Sequence, residues 1–342
     1  MTAPLAPRAF ITGCAGLVLT PEEEDFLRQS APWGLILFRR NVDTPAQVAA
    51  LVASFRAVVG RDDAPVLIDQ EGGRVQRLGP PHWPKYPPAE VFARRAEAGD
   101  AEGAAQAARL GARLIADDLA ILGINVDCVP CADLRLPEGH GIIGDRAYGS
   151  TPAQVAHLAR AAAEGLMEGG VLPVLKHIPG HGRARADSHE SLPVVETSRE
   201  ELEATDFEPF RLLADLPLGM TAHVVYAAID AEHPATTSRR VIDEVIRGHI
   251  GFNGALMSDD LSMGALAGSL AGRAEAAFAA GCDLALHCNG RLDEMVEVAS
   301  RSPQLDGEAA RRCAQALARL HPAAQIAQGE ARARFSDMIA AS

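Results

Sequence analysis

Residues 171–182 read Val-Leu-Pro-Val-Leu-Lys-His-Ile-Pro-Gly-His-Gly, and residues 187–190 add Asp-Ser-His-Glu. The segment begins as a short apolar run, which is typical of a buried parallel strand. It ends in a cluster of one lysine, three histidines and an aspartate. In α/β folds the active site lies beyond the carboxyl ends of the parallel strands. We therefore predict a strand over 171–176 that delivers polar groups to an active site.

Seven further apolar segments resemble this one, and segments with helical periodicity separate them. The strand candidates are 9–14, 33–38, 66–69, 124–127, 171–176, 218–223, 254–258 and 282–287. Thr-Pro pairs at 20–21, 44–45 and 151–152 predict helix N-termini, each with the Thr side chain as the N-cap acceptor and Pro at the first helical position. Eight strands alternating with helices favour an α/β fold with a single (β/α)₈ TIM-type barrel. A doubly wound sheet is the alternative, but no glycine-rich phosphate motif supports nucleotide binding.

The chain shows no linker that would mark a second domain. We predict one catalytic barrel domain over residues 1–342, in which residues 303–342 form a C-terminal helical extension packed on the barrel. The formal net charge of −13 argues against nucleic acid as a partner. The apolar runs are too short to cross a bilayer. No hydrophobic signal region precedes Cys14, so we expect a cytoplasmic protein.

Six cysteines in such a protein are expected to be reduced thiols. Cys128 and Cys131 form a lone C-x-x-C pair at the end of a strand. A zinc or redox site would need a second pair or a thioredoxin-like context, so we interpret the two thiols as packing groups. The sequence therefore predicts neither a metal nor a cofactor.

Most predicted strands end in polar residues, which is costly in a closed pocket unless the groups have a use. Residues 69–77 read Asp-Gln-Glu-Gly-Gly-Arg-Val-Gln-Arg, and Asp127, His223 and His287 end other strands. Asp69 either caps a solvated Gly-Gly turn or accepts hydrogen bonds from a sugar diol with Arg77 nearby. The spacing leaves both open. Arg146, in a glycine-punctuated loop, is either a surface charge or a bidentate donor in the pocket.

The histidines at 177, 181 and 189, with Asp187, allow two interpretations. A zinc site is disfavoured because Pro179-Gly180 prevents His177 and His181 from sharing a helical face. The other interpretation is an acid–base pair, in which Asp187 orients His189 and stabilises its imidazolium form. Asp259 and Asp260 end another strand, where neighbouring residues point to opposite sides. At most one of them should face a substrate, and the other should brace the turn at 261–263.

Three of these motifs, 69–77, 176–182 with 187–189, and 257–263, together resemble glycoside hydrolase family 3. More narrowly, they are similar to its bacterial β-N-acetylglucosaminidase branch, whose enzymes act in cell-wall recycling. The resemblance implies a retaining β-N-acetylhexosaminidase that removes non-reducing terminal β-linked N-acetylglucosamine. It also implies peptidoglycan fragments, GlcNAc-β-1,4-anhydroMurNAc-peptides, as substrates. We expect a monomer whose partner is a small sugar or muropeptide.

The resemblance also implies roles for single residues. Asp259 matches the nucleophile, His189 the general acid/base and Asp187 its partner. The residues that match those holding the terminal sugar are Asp69, Arg77, Arg146, Lys176 and His177. Three alternatives remain: a phosphorylase that uses the same residues with phosphate in place of water, a metal-dependent barrel hydrolase, and a non-catalytic sugar sensor.

Overall fold

The computed structural model describes residues 6–340, so the ends of the predicted 1–342 domain lie outside the described part. Within residues 6–340, eight parallel strands close into a barrel in chain order, and the predicted (β/α)₈ barrel is confirmed. Each strand falls on a predicted segment. The strands are β1 (Arg8–Thr12), β2 (Pro32–Leu37), β3 (Val66–Ile68), β4 (Val126–Asp127), β5 (Leu172–Ile178), β6 (Leu218–Thr221), β7 (Ala255–Asp260) and β8 (Leu284–His287).

Helices cover the outside of the barrel. They are α1 (Pro21–Ser30), α2 (Pro45–Val59), α3 (Ala89–Glu97), α4 (Ala101–Ala120), α5 (Pro152–Glu168), α6 (Arg199–Ala204), α7 (Glu208–Leu212), a π-helical segment Val241–His249, α8 (Leu270–Ala280), α9 (Leu292–Arg301), α10 (Gly307–Leu317) and α11 (Gln328–Ala340). None of the helices in the described range has both the length and the apolar character that a bilayer span requires.

Two apolar layers hold the fold together. One fills the barrel interior, where Trp33, Val126 and Met257 are almost completely buried. The larger one lies between the strands and the helices and includes Phe55 and Leu166. Successive strand residues point to opposite faces, so each strand contributes side chains to both layers. A strand that is buried on both sides therefore needs continuous apolar residues. Each such buried side chain stabilises the fold by about 1.5–3 kcal/mol.

The three Thr-Pro pairs all mark helix starts. Pro21, Pro45 and Pro152 are the first residues of α1, α2 and α5. The Thr20 and Thr44 side chains accept hydrogen bonds from the backbone one turn later, as N-caps do. Thr151 has the extended backbone of an N-cap, but its side chain makes no such bond. The prediction of the helix is therefore right, and the prediction of a side-chain cap at Thr151 is wrong.

Helices α10 and α11 occupy the predicted C-terminal extension. Helix α11 lies against α4, where Phe335 covers Gly111 so closely that a Cβ there would lie 2.8 Å from the ring. Arg332 forms an ion pair with Asp118 at 2.7 Å and donates a hydrogen bond to the Tyr86 hydroxyl at 3.2 Å. The extension therefore packs against α4 and against the loop before α3 that contains Tyr86.

Candidate active site

A cavity of about 330 Å³ opens at the carboxyl ends of the barrel strands. The predicted site residues that line it are Asp69, Arg77, Arg146, Lys176, His177, His189 and Asp259. Asp187 is the remaining predicted residue, and it contacts His189 directly. The barrel therefore brings together three motifs that lie far apart in the chain.

Asp69 follows β3 and sits between two cations. Its carboxylate lies 2.9 Å from the Lys176 ammonium group and 3.1 Å from the Arg77 guanidinium. Burial would raise the pKa of Asp69, but Lys176 and then Arg77 outweigh it and hold the pKa well below the usual range. Asp69 is thus an ionised acceptor in the cavity, and the alternative of a solvated turn cap is excluded.

Glu71 is a second carboxylate in this network, and the sequence reasoning assigned it no role. It lies in the short hairpin Gln70–Gly72 with Val75–Gln76, only 7% of its side chain is exposed, and it accepts a two-pronged pair from Arg146 at 2.8 and 2.7 Å. Lys176 lies 2.7 Å from it as well. Burial would raise the pKa of Glu71, yet Arg146 and Lys176 lower it to about 2. The guanidinium fork that we predicted for a ligand is therefore occupied by Glu71.

Asp133 is the other functional residue that the sequence reasoning missed. It is fully buried and its carboxylate lies 2.6 Å from His177 Nδ1. It also accepts the backbone N–H of His181 at 2.6 Å. Burial would raise the pKa of Asp133, but His177 lowers it to about 2, so the group is ionised. An ionised acceptor places the proton on Nδ1 and leaves His177 Nε2 for the cavity.

The predicted acid–base pair is in contact. Asp187 Oδ1 accepts hydrogen bonds from both the ring Nδ1 of His189, at 2.8 Å, and its backbone N–H, at 2.9 Å. Burial would raise the pKa of Asp187, but the two bonds from His189 lower it. The imidazole is 61% exposed and borders the cavity. Its free nitrogen is therefore Nε2, on a ring held by a carboxylate.

Asp259 and Asp260 end β7 and have different surroundings. Asp260 accepts from the Ser262 backbone N–H at 3.0 Å and from the Ser262 hydroxyl at 2.6 Å, so it braces the turn as predicted. Asp259 accepts only from the Asp260 backbone N–H, at 2.8 Å, among the bonds found in residues 6–340. Burial would raise the pKa of Asp259, but His177 and His223 lower it, with a smaller contribution from His189. It is an ionised carboxylate facing the cavity.

The family model described as Glycosyl hydrolase family 3 N terminal domain matches residues 17–320. The chain belongs to glycoside hydrolase family 3. A β-hexosaminidase of Pseudomonas aeruginosa is 40% identical over 288 residues, which cover 83% of each chain. The structure is similar to NagZ from Neisseria gonorrhoeae in complex with N-trifluoroacetyl-D-glucosamine, with a TM-score of 0.84, 33% identity and coverage of 99% of this chain and 98% of that one. The predicted enzyme class, a β-N-acetylhexosaminidase, is confirmed by these relatives.

The same gonococcal family 3 protein has also been solved in complex with zinc ion, at a TM-score of 0.83 and 32% identity over 99% of this chain and 98% of that one. In the described residues, Cys131, Asp133 and His177 have ligand atoms within 4.8 Å of one another. Zinc-bound nitrogen and oxygen atoms at a tetrahedral angle lie about 3.3 Å apart. His177 Nδ1 and Asp133 Oδ2 are 2.6 Å apart, which is a hydrogen bond. In this structure Asp133 and His177 are therefore hydrogen-bonded to each other.

Three strand-end groups that we expected near the family 3 site have other surroundings. Asp127 lines a separate cavity of about 20 Å³ behind the barrel wall, because its neighbours Val126 and Cys128 occupy the barrel interior. His223 is buried against the Thr236 hydroxyl at 2.7 Å and the Asp260 carbonyl at 3.0 Å. His287 is fully buried, with Nε2 3.6 Å from Glu294. None of the three borders the larger cavity, so the strand-end pattern overestimated the site.

Proposed function

We propose that the chain is a retaining glycosidase that releases terminal β-linked N-acetylglucosamine by double displacement. The observation that carries this proposal is that Asp259 and His189 border one cavity, with Asp187 bonded to the His189 ring. A retaining mechanism needs a nucleophile on one side of the anomeric carbon and an acid/base on the leaving-group side. An ionised, accessible carboxylate and an oriented imidazole meet that need.

In the first step, Asp259 attacks the anomeric carbon while His189 Nε2 gives its proton to the leaving oxygen. The bond to the leaving group breaks, and a glycosyl ester forms on Asp259. In the second step, His189 takes a proton from water, and the resulting nucleophile displaces Asp259. The sugar leaves with its β configuration retained, and the enzyme returns to its first state.

Asp187 keeps this imidazole useful in both steps. Its carboxylate accepts from Nδ1, so the ring is held in the tautomer that exposes Nε2. Its negative charge stabilises the imidazolium that must form before the first step and after the second. A carboxylate in this relation to histidine orients the ring and supports its charged form.

We propose that the sugar is held by the other predicted site residues that line the same cavity. Asp69 is the acceptor for neighbouring sugar hydroxyls, with Lys176 and Arg77 fixing its orientation. His177 contributes Nε2 from a ring anchored on Asp133. Arg146 borders the sugar site while its guanidinium stays paired with Glu71. The gonococcal relative binds an N-acylated glucosamine, which supports this sugar as the ligand. Peptidoglycan fragments as substrates, cell-wall recycling as the role and the cytoplasm as the location remain predictions from the sequence.

Two experiments test the residue roles. A 2-fluoro sugar slows both steps and accumulates the glycosyl ester, which we expect on Asp259 by peptide mass spectrometry. A label on any other residue would overturn the assignment.

His189→Ala should lower kcat/KM far more for a phenyl glycoside than for a 4-nitrophenyl glycoside, because nitrophenolate departs without protonation. The expected difference is about 10²- to 10⁴-fold, the usual contribution of general acid catalysis.

The phosphorylase alternative has one observation in its favour, the imidazole of His189 in place of a carboxylate. An imidazole repels an incoming phosphate less than a carboxylate would. Product analysis with and without inorganic phosphate decides the question. We expect free N-acetylglucosamine in both cases, and N-acetylglucosamine 1-phosphate as the main product would favour the alternative.

A further inference from the structure

We propose that the turn after the nucleophile, residues 263–265, holds the loop of the acid/base, residues 187–190, in its working position. We call these the nucleophile turn and the acid–base loop. This inference rests on the proposed function, because it concerns how the two proposed catalytic groups are kept in register. It assigns Gly264, Ser188 and His181 as positioning residues.

Two backbone hydrogen bonds join the segments. The Gly264 N–H donates to the His189 carbonyl at 3.0 Å, and the Ala265 N–H donates to the Ser188 carbonyl at 3.1 Å. The first bond holds the backbone of the acid/base residue itself. The nucleophile turn begins only a few residues after Asp259. One short stretch of chain therefore both carries the nucleophile and anchors the residue that must protonate the leaving group.

Gly264 is the residue that permits this contact. A Cβ at this position would lie 2.8 Å from the Glu190 carbonyl oxygen and 2.9 Å from the His189 carbonyl oxygen. Its φ is not in the left-handed region, so alanine fits the backbone conformation there. The only cost of an added methyl group is therefore displacement of the acid–base loop. This makes Gly264→Ala a specific probe of the contact.

A side-chain bond fixes the same loop from the other side. Ser188, which lies between Asp187 and His189, is buried, and its hydroxyl lies 3.0 Å from His181 Nε2. His181 is buried in the turn after β5, and its backbone N–H is fixed by Asp133 at 2.6 Å. The acid–base loop is thus held both by the nucleophile turn and by the segment that supplies Lys176 and His177. The exposed His189 ring needs such support, because its own side chain has few packing neighbours.

The consequence for catalysis is geometric. The proton donor must lie within hydrogen-bond reach of the leaving oxygen, and a displacement of about 1 Å can lower the rate about 10²-fold. Releasing the loop should therefore weaken protonation of the leaving group and leave sugar binding intact. It should resemble a partial loss of His189.

The experiment compares kcat/KM for phenyl and 4-nitrophenyl β-N-acetylglucosaminides, because kcat/KM includes binding and the step in which the leaving group departs but not the second chemical step. The variants are Gly264→Ala, Ser188→Ala and His189→Ala in the full-length chain. We expect Gly264→Ala and Ser188→Ala to lower kcat/KM about 10- to 100-fold for the phenyl substrate and less than about 3-fold for the nitrophenyl substrate. Gly272→Ala is the matched control, since its Cβ would meet only the Ser269 hydroxyl, at 3.4 Å.

Equal losses on both substrates, or no loss, in Gly264→Ala and Ser188→Ala would overturn the inference. If Gly264→Ala fails to fold, Ser188→Ala decides, because it removes one oxygen and adds no clash. The proposed function fails differently: His189→Ala would then show no dependence on the leaving group. A leaving-group effect in His189→Ala without one in the two loop variants would leave the function standing and refute the positioning role.

Discussion

Glu71→Gln should destabilise the protein strongly, because Glu71 balances two buried cations. Its carboxylate contacts Arg146 at 2.7 Å and Lys176 at 2.7 Å, and the Lys176 side chain is only 2% exposed. Removal of one partner from a buried ion pair costs about 3–5 kcal/mol when the other charge stays buried without compensation. Arg146 would be left in that state, whereas Lys176 would keep Asp69 at 2.9 Å. Unfolding entropy is about 2.1 cal/mol/K per residue, so 342 residues give about 0.7 kcal/mol/K. The expected fall in Tm is therefore about 4–7 °C.

The matched control is Glu168→Gln. Glu168 also accepts two bonds from one arginine, Arg109, both on Oε1, but the Glu168 and Arg109 side chains are 43% and 48% exposed. Exposed pairs are worth less than about 1 kcal/mol, so this variant should melt within about 1–2 °C of the wild type. Calorimetry at neutral pH measures both. A Glu71→Gln midpoint indistinguishable from that of Glu168→Gln would refute the charge-balance reasoning. Glu71→Gln should also raise KM, because Lys176 and Arg146 would lose their common anchor.

Three further predictions concern other carboxyl groups in and near the site. Asp133→Asn should lower kcat/KM roughly 10- to 100-fold without unfolding the protein. The reason is that an amide donor opposite His177 Nδ1 would move the ring proton to Nε2 and remove a charge-assisted bond. Unchanged kinetics would contradict the tautomer assignment. Because its surroundings lower the pKa of Asp259 from the usual aspartate range, kcat/KM for a 2,4-dinitrophenyl glycoside, which needs no acid, should stay constant from neutrality down to about pH 5. An acid limb near pH 6 would show that another group titrates. Burial raises the pKa of Asp127 to about 8, so the folded state holds its proton between pH 4 and 8, and stability is lost as pH rises through this window. Residue 127 does not titrate in Asp127→Asn. The stability of this variant relative to the wild type should therefore rise by about 1.4 kcal/mol, or about 2 °C in Tm, for each pH unit across that range. A Tm difference that does not change with pH would contradict the raised pKa.

The barrel was predictable because its signals are local. Each strand is a short apolar run bounded by turn residues, and three of the helices between them begin at recognisable Thr-Pro pairs. The contact of Asp187 with His189 was also predictable, because residues two apart on a turn can touch without help from the rest of the fold. The division of labour between Asp259 and Asp260 followed from the alternation of strand side chains.

The supporting carboxylates were harder to find, because their partners are distant in the chain. Asp133 lies 44 residues before His177, and no sequence pattern links them. Glu71 could have been found, since residues 69 and 71 share one side of an extended segment and both should meet the same cations. Asp127 was placed wrongly because a two-residue strand gives too little alternation to show which of its side chains points inward.

The exposure of His189 explains why an imidazole suits this loop. A general acid must carry a proton at the working pH, and a carboxyl group does so near neutrality only when burial or a neighbouring anion raises its pKa. The acid–base loop offers no such burial, since the His189 side chain is 61% exposed. An imidazole is a common general acid/base in proteins, so on this exposed loop it needs orientation rather than desolvation. Asp187 and the bonds to the nucleophile turn supply that orientation, and the negative charge of Asp187 also favours the imidazolium that the proposed acid/base must form.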